Sequence, residues 1–256
     1  MPIILNRREL LQGLAAGSVV AITGCTENPE LGRSQFLLVS DAQLAELGVA
    51  TWTNVKKQER VSSDASLNRR LEKIGTKCVD AARKGDLDWE FAVFDNPEVN
   101  AFAIPGGKVG FYSGIFDVME NDDQVATVMG HEVGHVAARH SAERYSQQLA
   151  AGVFVTAVSA ALATSDLEYG KEIAGVLGAG VTFGVILPYS RQHEYEADAL
   201  GVRYMTEADY NPNQAVRFWQ NMTEQSKRQP LEFMSTHPSD ENRIAAIQRQ
   251  IAGLRA

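Results

Sequence analysis

The sequence predicts a mainly helical α+β fold with a small antiparallel β-sheet. Apolar residues recur at spacings of three and four in several long segments, which is the pattern of amphipathic helices. Residues 89–116 instead read as strands, two of which are joined by a Pro105-Gly106-Gly107 turn. With 256 residues, 45% of them hydrophobic, the chain is long enough for one large domain or two small ones.

The first 24 residues predict an export signal that is not part of the fold. Arg7 and Arg8 precede a mostly apolar stretch that ends in ITGC at Cys25, and this apolar core is too short to span a bilayer stably. The ITGC end resembles the lipobox of bacterial lipoproteins, in which the signal is cut before a cysteine that carries the lipid. By that resemblance Cys25 is the lipidated first residue of the mature chain, and Thr26 after it is typical of sorting to the outer membrane. An uncleaved apolar anchor is the alternative, and Arg7-Arg8 also resembles a twin-arginine signal.

Residues 25–60 are predicted to form a linker and a first helix that opens at Ser40, and residues 61–256 the main domain. A second helix follows Asp64, and one face of it carries Leu67, Leu71, Ile74 and Cys78. This pattern predicts that Cys78 is a buried small apolar residue.

Strands are expected at residues 89–95 and on both sides of the glycine turn. A helix should begin near Asp122, since Asp122 and Asp123 suit the positive end of a helix dipole, and should continue through Val136. Further helices are expected over residues 188–205, after Asn211-Pro212, and from Pro238 to the end of the chain.

Two apolar runs, residues 149–163 and 173–187, are shorter than the roughly 20 residues that a membrane helix needs. They therefore favour a buried helical hairpin over membrane insertion, with glycines allowing close packing.

Composition excludes some functions. The formal net charge is −8 and there is no lysine- or arginine-rich run, which argues against nucleic-acid binding. The two cysteines, Cys25 and Cys78, imply no disulfide framework. The three tryptophans, Trp52, Trp89 and Trp219, are expected in the core.

The stretch HEVGH, residues 131–135, predicts a catalytic zinc site. His131 and His135 lie four apart, so on a helix their imidazoles can point to a common centre. Glu132 is rotated by about 100° and can reach a water on the metal without binding the metal itself. Because a metal lowers the pKa of water, a nearby carboxylate can take the proton as the water attacks a carbonyl. A polar helix with two chance histidines is the alternative.

Residues 193–201, HEYEADALG, offer the third ligand. Glu194 and Asp198 share a helical face, so one could bind metal while the other fixes a ligand histidine, whereas Glu196 points elsewhere. His193 is expected to pack or to support a ligand. His140 lies nine residues after His131, and on a continuous helix it should face away from the metal, into solvent.

HEVGH, the later SRQHEYEADALG and the final STHPSDENRI together resemble the HtpX/CAAX-prenyl-protease family of zinc metallopeptidases, and NAFAIPGG before HEVGH matches as well. The resemblance spans about residues 60–252 and is strongest to the periplasmic lipoprotein branch. It implies a helix-rich, gluzincin-type zincin fold with the small sheet beside the HExxH helix. It also implies one zinc per chain, a membrane tether through Cys25, and unfolded or misassembled envelope proteins as substrates.

The resemblance assigns a role to each matching position. His131, His135 and Glu194 would be zinc ligands, Glu132 the general base, Asp198 a support for a ligand histidine, and Arg243 a residue that holds the region of His237. His237 would approach the metal or the oxyanion, and Asn100, Ala101, Phe102 and Ala103 would bind substrate backbone by strand addition.

His237 has a further predicted role: it would occupy the open zinc position at rest and move away when substrate arrives. Shaping the loop before Pro238 is the alternative. For the whole protein, the alternatives to a tethered zinc endopeptidase are a metal-stabilised chaperone or assembly factor, and an integral-membrane protease. The sequence does not define an oligomeric state.

Overall fold

The computed structural model describes residues 25–163, 190–238 and 241–254. The chain divides into two compact units, Met1–Ser40 with Ala142–Leu187, and Asp41–Ser141 with Pro188–Ala256. The predicted signal at 1–24 and the apolar run at 173–187 lie outside the described residues. The domain boundary near residue 60 stays a prediction.

The first unit contains an antiparallel hairpin of β1 (Cys25–Asn28) and β2 (Arg33–Phe36). Its partner in this unit is Glu143, whose buried carboxylate accepts hydrogen bonds from Arg33 at 2.9 Å and from Gln35 at 2.8 Å. The sequence predicts only a linker here. Strands of four residues without alternation of polar and apolar side chains give no strand signal, so the hairpin depends on these later contacts.

Helix α4 (His140–Ala163) includes the apolar run at 149–163, which is helical as expected. None of the helices in the described ranges is both long enough and apolar enough to cross a membrane.

The second unit carries most of the helices. They are α1 (Asp41–Gln58), α2 (Ala65–Ala82), a 3₁₀ helix (Ser113–Val118), α3 (Asp122–Ala137), α5 (Arg191–Glu207), α6 (Asn213–Ser226), α7 (Glu232–Thr236) and α8 (Glu241–Leu254). The Asp64 side chain caps α2 by accepting the amides of Ser66 and Leu67. The bounds of these helices confirm the predicted helix starts within a few residues.

A three-stranded sheet consists of β3 (Glu90–Phe94), β4 (Ala101–Ile104) and β5 (Lys108–Tyr112) in the order β3-β5-β4. The predicted turn joins β4 to β5 as an antiparallel hairpin, with Gly106 at φ 85° and Gly107 at φ 84°. The antiparallel expectation misses one pairing, since β3 runs parallel to β5. Residues 95–100 connect β3 to β4, which lies on the other side of the position of β5 in the sheet. Strand β5 then runs between them in the same direction as β3. The mainly helical fold with a small sheet is confirmed, and β4 packs against α3.

The core predictions hold in part. Trp52 and Trp219 are buried, whereas Trp89 is half-buried and donates its indole N–H to the carbonyl oxygen of Lys84. Cys78 is fully buried, and this burial raises the pKa of its thiol to about 12. Helix α2, which carries Cys78, packs against α3.

Candidate metal centre

Helix α3 presents the first three residues of the site. Asn121 caps the helix by accepting the amide of Gln124, and α3 then continues without a break to Ala137. His131, Glu132 and His135 are all buried, and the Nε2 atoms of the two histidines are 3.0 Å apart. The predicted common centre is present.

Helix α5 lies unusually close to α3. A methyl group added at Gly130 would stand 2.8 Å from the carbonyl oxygen of Gly201, and one at Gly134 would stand 2.8 Å from that of Ala197. Because Cβ atoms do not approach backbone that closely, only glycine permits this contact. The close approach brings the side chains of α5 to the histidines of α3.

Glu194 lies in the first turn of α5, after the cap by Ser190, which accepts the amide of His193. Its Oε1 is 3.3 Å from His135 Nε2, and its Oε2 is 3.5 Å from His131 Nε2. Both oxygens are buried, and neither accepts a well-aligned hydrogen bond within the described part of the chain. Buried oxygens of this kind are expected where a cation belongs.

The short helix α7 brings His237 to the same point. The amide of His237 donates to the carbonyl oxygen of Phe233 at 2.8 Å, and the two rings stack with centroids 4.7 Å apart. His237 Nδ1 is 3.1 Å from His131 Nε2 and 3.3 Å from Glu194 Oε1. Donor atoms of His131, His135, Glu194 and His237 all lie within 4.8 Å of one another, so these four residues could hold a metal ion.

Asp198 and Arg243 lie behind His131. Asp198 Oδ1 is 2.9 Å from His131 Nδ1, which leaves His131 Nε2 directed at the metal position. Arg243 donates to both oxygens of Asp198 and lies 2.8 Å from Glu194 Oε2. It also donates to the carbonyl oxygens of His237 and Pro238, at 3.3 Å and 3.0 Å.

The indole ring of Trp219, on α6, covers the guanidinium of Arg243, with 3.9 Å from the guanidinium carbon to the ring centroid. The sequence predicts a core position for Trp219 but not its contact with Arg243. An isolated tryptophan on a helix gives no signal of the cation that it covers.

Charge balance determines which groups are ionised. Burial opposes ionisation of Glu194 and Asp198, but Arg243 and the nearby histidines hold the pKa of Glu194 well below its usual range and lower that of Asp198. Burial also opposes protonation of His131, yet the carboxylates of Asp198 and Glu194 raise its pKa to about 9. Glu194 and Asp198 are therefore both ionised at neutral pH, and Glu194 is the one of the two that faces the other donor atoms.

Glu132 and His135 differ from these groups. Burial raises the pKa of Glu132, and burial holds the pKa of His135 well below its usual value. Neutral imidazole is the form of His135 that can bind metal. Glu132 Oε1 accepts no hydrogen bond from the described residues, and His237 Nε2 is 3.6 Å from it.

The edge strand β4 adjoins Glu132. The amide of Ala103 donates to the Glu132 carboxylate, which counteracts part of the effect of burial on its pKa. The carbonyl of Asn100 accepts the amide of Tyr112, while its buried side-chain oxygen accepts no hydrogen bond from the residues that the structure describes. Ala101 is buried, and Phe102 stacks on Phe94 with ring centroids 6.2 Å apart.

The expectation that His140 is solvated and faces away from the metal is wrong. Helix α3 ends at Ala137, and Arg139 adopts a left-handed conformation at φ 56° before α4 begins at His140. The rotation extrapolated from His131 therefore does not apply. His140 is fully buried, with its Nδ1 2.9 Å from His135 Nδ1.

Residues of α5 complete the surroundings of His140. His140 Nε2 lies 3.0 Å from Glu196 Oε2, and the ring of His193 stacks on the ring of His140 at a centroid distance of 4.4 Å. Glu196 points away from the metal position, as predicted, and His193 packs on His140.

Comparisons with known proteins agree with this geometry. A sequence profile described as "Peptidase family M48" matches residues 65–251. Mitochondrial metalloendopeptidase OMA1 of Schizosaccharomyces pombe is 36% identical over 182 residues, which cover 70% of this chain and 51% of that protein. OMA1 of Saccharomyces cerevisiae is 31% identical over 268 residues, 95% of this chain and 74% of that protein.

The β-barrel assembly-enhancing protease of Escherichia coli K12 is 27% identical over 264 residues, 97% of this chain and 54% of that protein. The chain thus spans about half the length of the E. coli and S. pombe relatives. Because the profile covers nearly three quarters of the 256 residues and includes every residue of the buried cluster, this chain belongs to peptidase family M48, a family of metallopeptidases.

Proposed function

We propose that the chain is a zinc-dependent metalloendopeptidase, tethered to the periplasmic face of a bacterial envelope membrane, that hydrolyses unfolded or misassembled envelope proteins. The observation that carries the proposal is the buried cluster of His131, His135, Glu194 and His237 beside the carboxylate of Glu132. Within family M48 we infer the HtpX-like lipoprotein branch from the ITGC, HEVGH and THP motifs.

The donor set suits zinc. Imidazole nitrogens with one carboxylate are ligands that zinc accepts in tetrahedral sites, whereas calcium and magnesium prefer oxygen alone. His131 Nε2, His135 Nε2 and Glu194 would hold one zinc ion per chain. When bound, zinc lowers the pKa of water and polarises a substrate carbonyl.

Glu132 supplies the general base. It follows His131 directly, and its buried Oε1 has no hydrogen-bond partner in the described ranges, so it is free to accept a proton from the attacking water. The same carboxyl group can then deliver that proton to the amine nitrogen that leaves.

Residues Asn100 to Ala103 would bind the substrate backbone. Among the described residues β4 is an edge strand, since β5 is the one strand that pairs with it there, and it lies beside Glu132. An extended peptide that pairs with such an edge is held by its main chain, whatever its side chains. Recognition of this type suits unfolded substrates.

His237 would be the fourth donor in a resting state. Its Nδ1 lies among the other donor atoms, and its loop is held by Arg243 through main-chain oxygens. When substrate enters, the ring would move aside and donate a hydrogen bond to the oxyanion.

Glu132→Gln tests the enzymatic role. The amide keeps the shape but cannot take a proton, so kcat on an unfolded protein should fall about 10²-fold or more while zinc content and melting temperature stay near the parent values. Glu207→Gln, an exposed position on α5, is the matched control. Parental turnover by Glu132→Gln would show that Glu132 is not the base, whereas a zinc-loaded parent chain without any turnover would favour a metal-stabilised chaperone or assembly factor.

The envelope location is proposed from the N-terminal sequence. Lipid on Cys25 would hold the chain at the membrane, in the outer membrane by the Thr26 criterion. The metal-binding residues all lie beyond residue 130, so Cys25→Ala should give a soluble, active periplasmic protein. Cell fractionation with carbonate washing measures this. Retention of Cys25→Ala in washed membranes would instead indicate insertion of an apolar segment.

A further inference from the structure

The two ligand histidines of α3 need different support. A histidine that binds metal through Nε2 keeps a proton on Nδ1, and that N–H requires an acceptor to fix the ring. For His131 the acceptor is the Asp198 carboxylate, at 2.9 Å. For His135 the atom opposite Nδ1 is another imidazole nitrogen, Nδ1 of His140, also at 2.9 Å.

We infer that His140 and Glu196 are positioning residues that hold His135 for metal binding through a directed chain of hydrogen bonds. The inference rests on the proposed metal site. It assigns to His140 a function that neither its sequence position nor HEVGH indicates.

The geometry fixes which atom donates in each of these hydrogen bonds. If His135 Nε2 offers its lone pair to the metal, His135 Nδ1 is a donor and His140 Nδ1 must be the acceptor. The remaining proton of neutral His140 then lies on Nε2, which is 3.0 Å from Glu196 Oε2. A carboxylate accepts hydrogen bonds but cannot donate them, so the series ends at Glu196. Every hydrogen bond in it is therefore donated from the His135 side toward Glu196. The second oxygen of Glu196 accepts from Gln192 at 2.9 Å.

The surrounding structure holds these hydrogen-bonded side chains in place. The left-handed turn at Arg139, a conformation that non-glycine residues rarely adopt, brings His140 back against the helix that it has just left. Arg139 in turn donates to Asp41 at 2.8 Å. The ring of His193 stacks on His140 with an interplanar angle of 23°, which limits rotation of the imidazole.

Glu196 and Glu194 therefore have separate tasks on one helix. Glu194 faces the ligand nitrogens of His131 and His135 directly, at 3.5 Å and 3.3 Å. Glu196 instead contacts His140, which lies between it and His135, because the two glutamates leave α5 in different directions.

The test compares two substitutions of His140 in the full chain. Asparagine keeps an acceptor oxygen near the position of Nδ1, whereas leucine has similar volume and no acceptor. Zinc affinity is measured for metal-depleted protein by competition with a chelator of known affinity, at a temperature where all variants are folded. His140→Leu should weaken zinc binding by about 10–100-fold, and His140→Asn should retain most of the parental affinity.

Cobalt gives a second readout, since its visible absorption reports the ligand field. We expect an altered cobalt spectrum for His140→Leu and a parental one for His140→Asn. Equal loss of affinity in both variants, or no loss in His140→Leu, would overturn the inference. A lower melting temperature with unchanged zinc affinity and cobalt spectrum would also overturn it, because it would show that His140 only fills space.

Two substitutions of Glu196 provide an independent test if His140→Leu does not fold. Glu196→Gln keeps an acceptor for His140, and Glu196→Leu removes it, so only the latter should weaken zinc binding. Equal zinc affinities in the two variants would overturn the inference. A parent chain that binds neither zinc nor cobalt would refute the proposed metal site itself, which separates that failure from failure of the positioning role.

Discussion

His131 and His135 stand one turn apart on α3, yet the molecule supports them by different means. The His131 side is charge-dense: Asp198, Arg243 and Trp219 lie behind the ring. The His135 side is rich in imidazole, with His140 between His135 and Glu196 and the ring of His193 stacked on His140. The comparison indicates that one side depends on compensated charge and the other on directed hydrogen bonds.

The largest expected effect belongs to the charged side. Arg243→Met would leave Glu194 and Asp198 buried without their cation, and removing one partner of a buried ion pair costs about 3–5 kcal/mol in free energy of unfolding. Zinc would compensate part of the charge of Glu194, so the loss should be larger in metal-free than in zinc-loaded protein. Denaturant unfolding of both forms measures this difference.

Arg217→Met is the control for Arg243→Met. Arg217 pairs with Glu120 on the surface, where an ion pair contributes about 0–1 kcal/mol. An equally small loss in Arg243→Met would show that the His131 side does not depend on charge compensation.

His237→Ala tests which residue closes the site next to His131. If His237 occupies the fourth position at rest, its removal should raise the rate on an unfolded protein. If it acts only as an oxyanion donor, kcat should fall by a factor on the order of 10². Turnover at the parental rate with a reduced melting temperature would contradict both roles and leave His237 as a loop residue.

Gly134→Ala should have a smaller effect, and it should disturb the surroundings of both His131 and His135. The added methyl would stand 2.8 Å from the carbonyl oxygen of Ala197, and overpacking of this kind costs about 1–3 kcal/mol. Since α5 carries Glu194, Glu196 and Asp198, a shift of α5 should weaken zinc binding as well as stability.

Gly253→Ala, where an added methyl meets nothing within 4 Å, is the control for Gly134→Ala and should be neutral or stabilising by up to about 1 kcal/mol. If Gly134→Ala unfolds like this control and binds zinc with parental affinity, the two helices can separate without disturbing the site.

Much of the charged side could be predicted from sequence. A spacing of four places His131 with His135 and Glu194 with Asp198, because both pairs lie inside uninterrupted helices. Arg243 was predicted only by resemblance, since no local pattern links residue 243 to residue 198.

The imidazole side could not be predicted in the same way. His140 was placed by extending α3, but the reversal at Arg139 depends on a non-glycine residue at positive φ, which the sequence does not indicate. The glycine contacts were missed for a related reason. Gly130 and Gly134 read as weak points of a helix until the position of the second helix is known.

The close approach of α3 and α5 has a genetic consequence. Every single-nucleotide change that replaces a glycine codon with another amino acid adds at least one side-chain carbon. At Gly130, Gly134 and Gly201 that carbon would lie within 2.8 Å of main-chain atoms of the facing helix. These three positions should therefore tolerate substitution poorly, although none of them belongs to the group of donor residues. In a random mutant library they would look like catalytic residues.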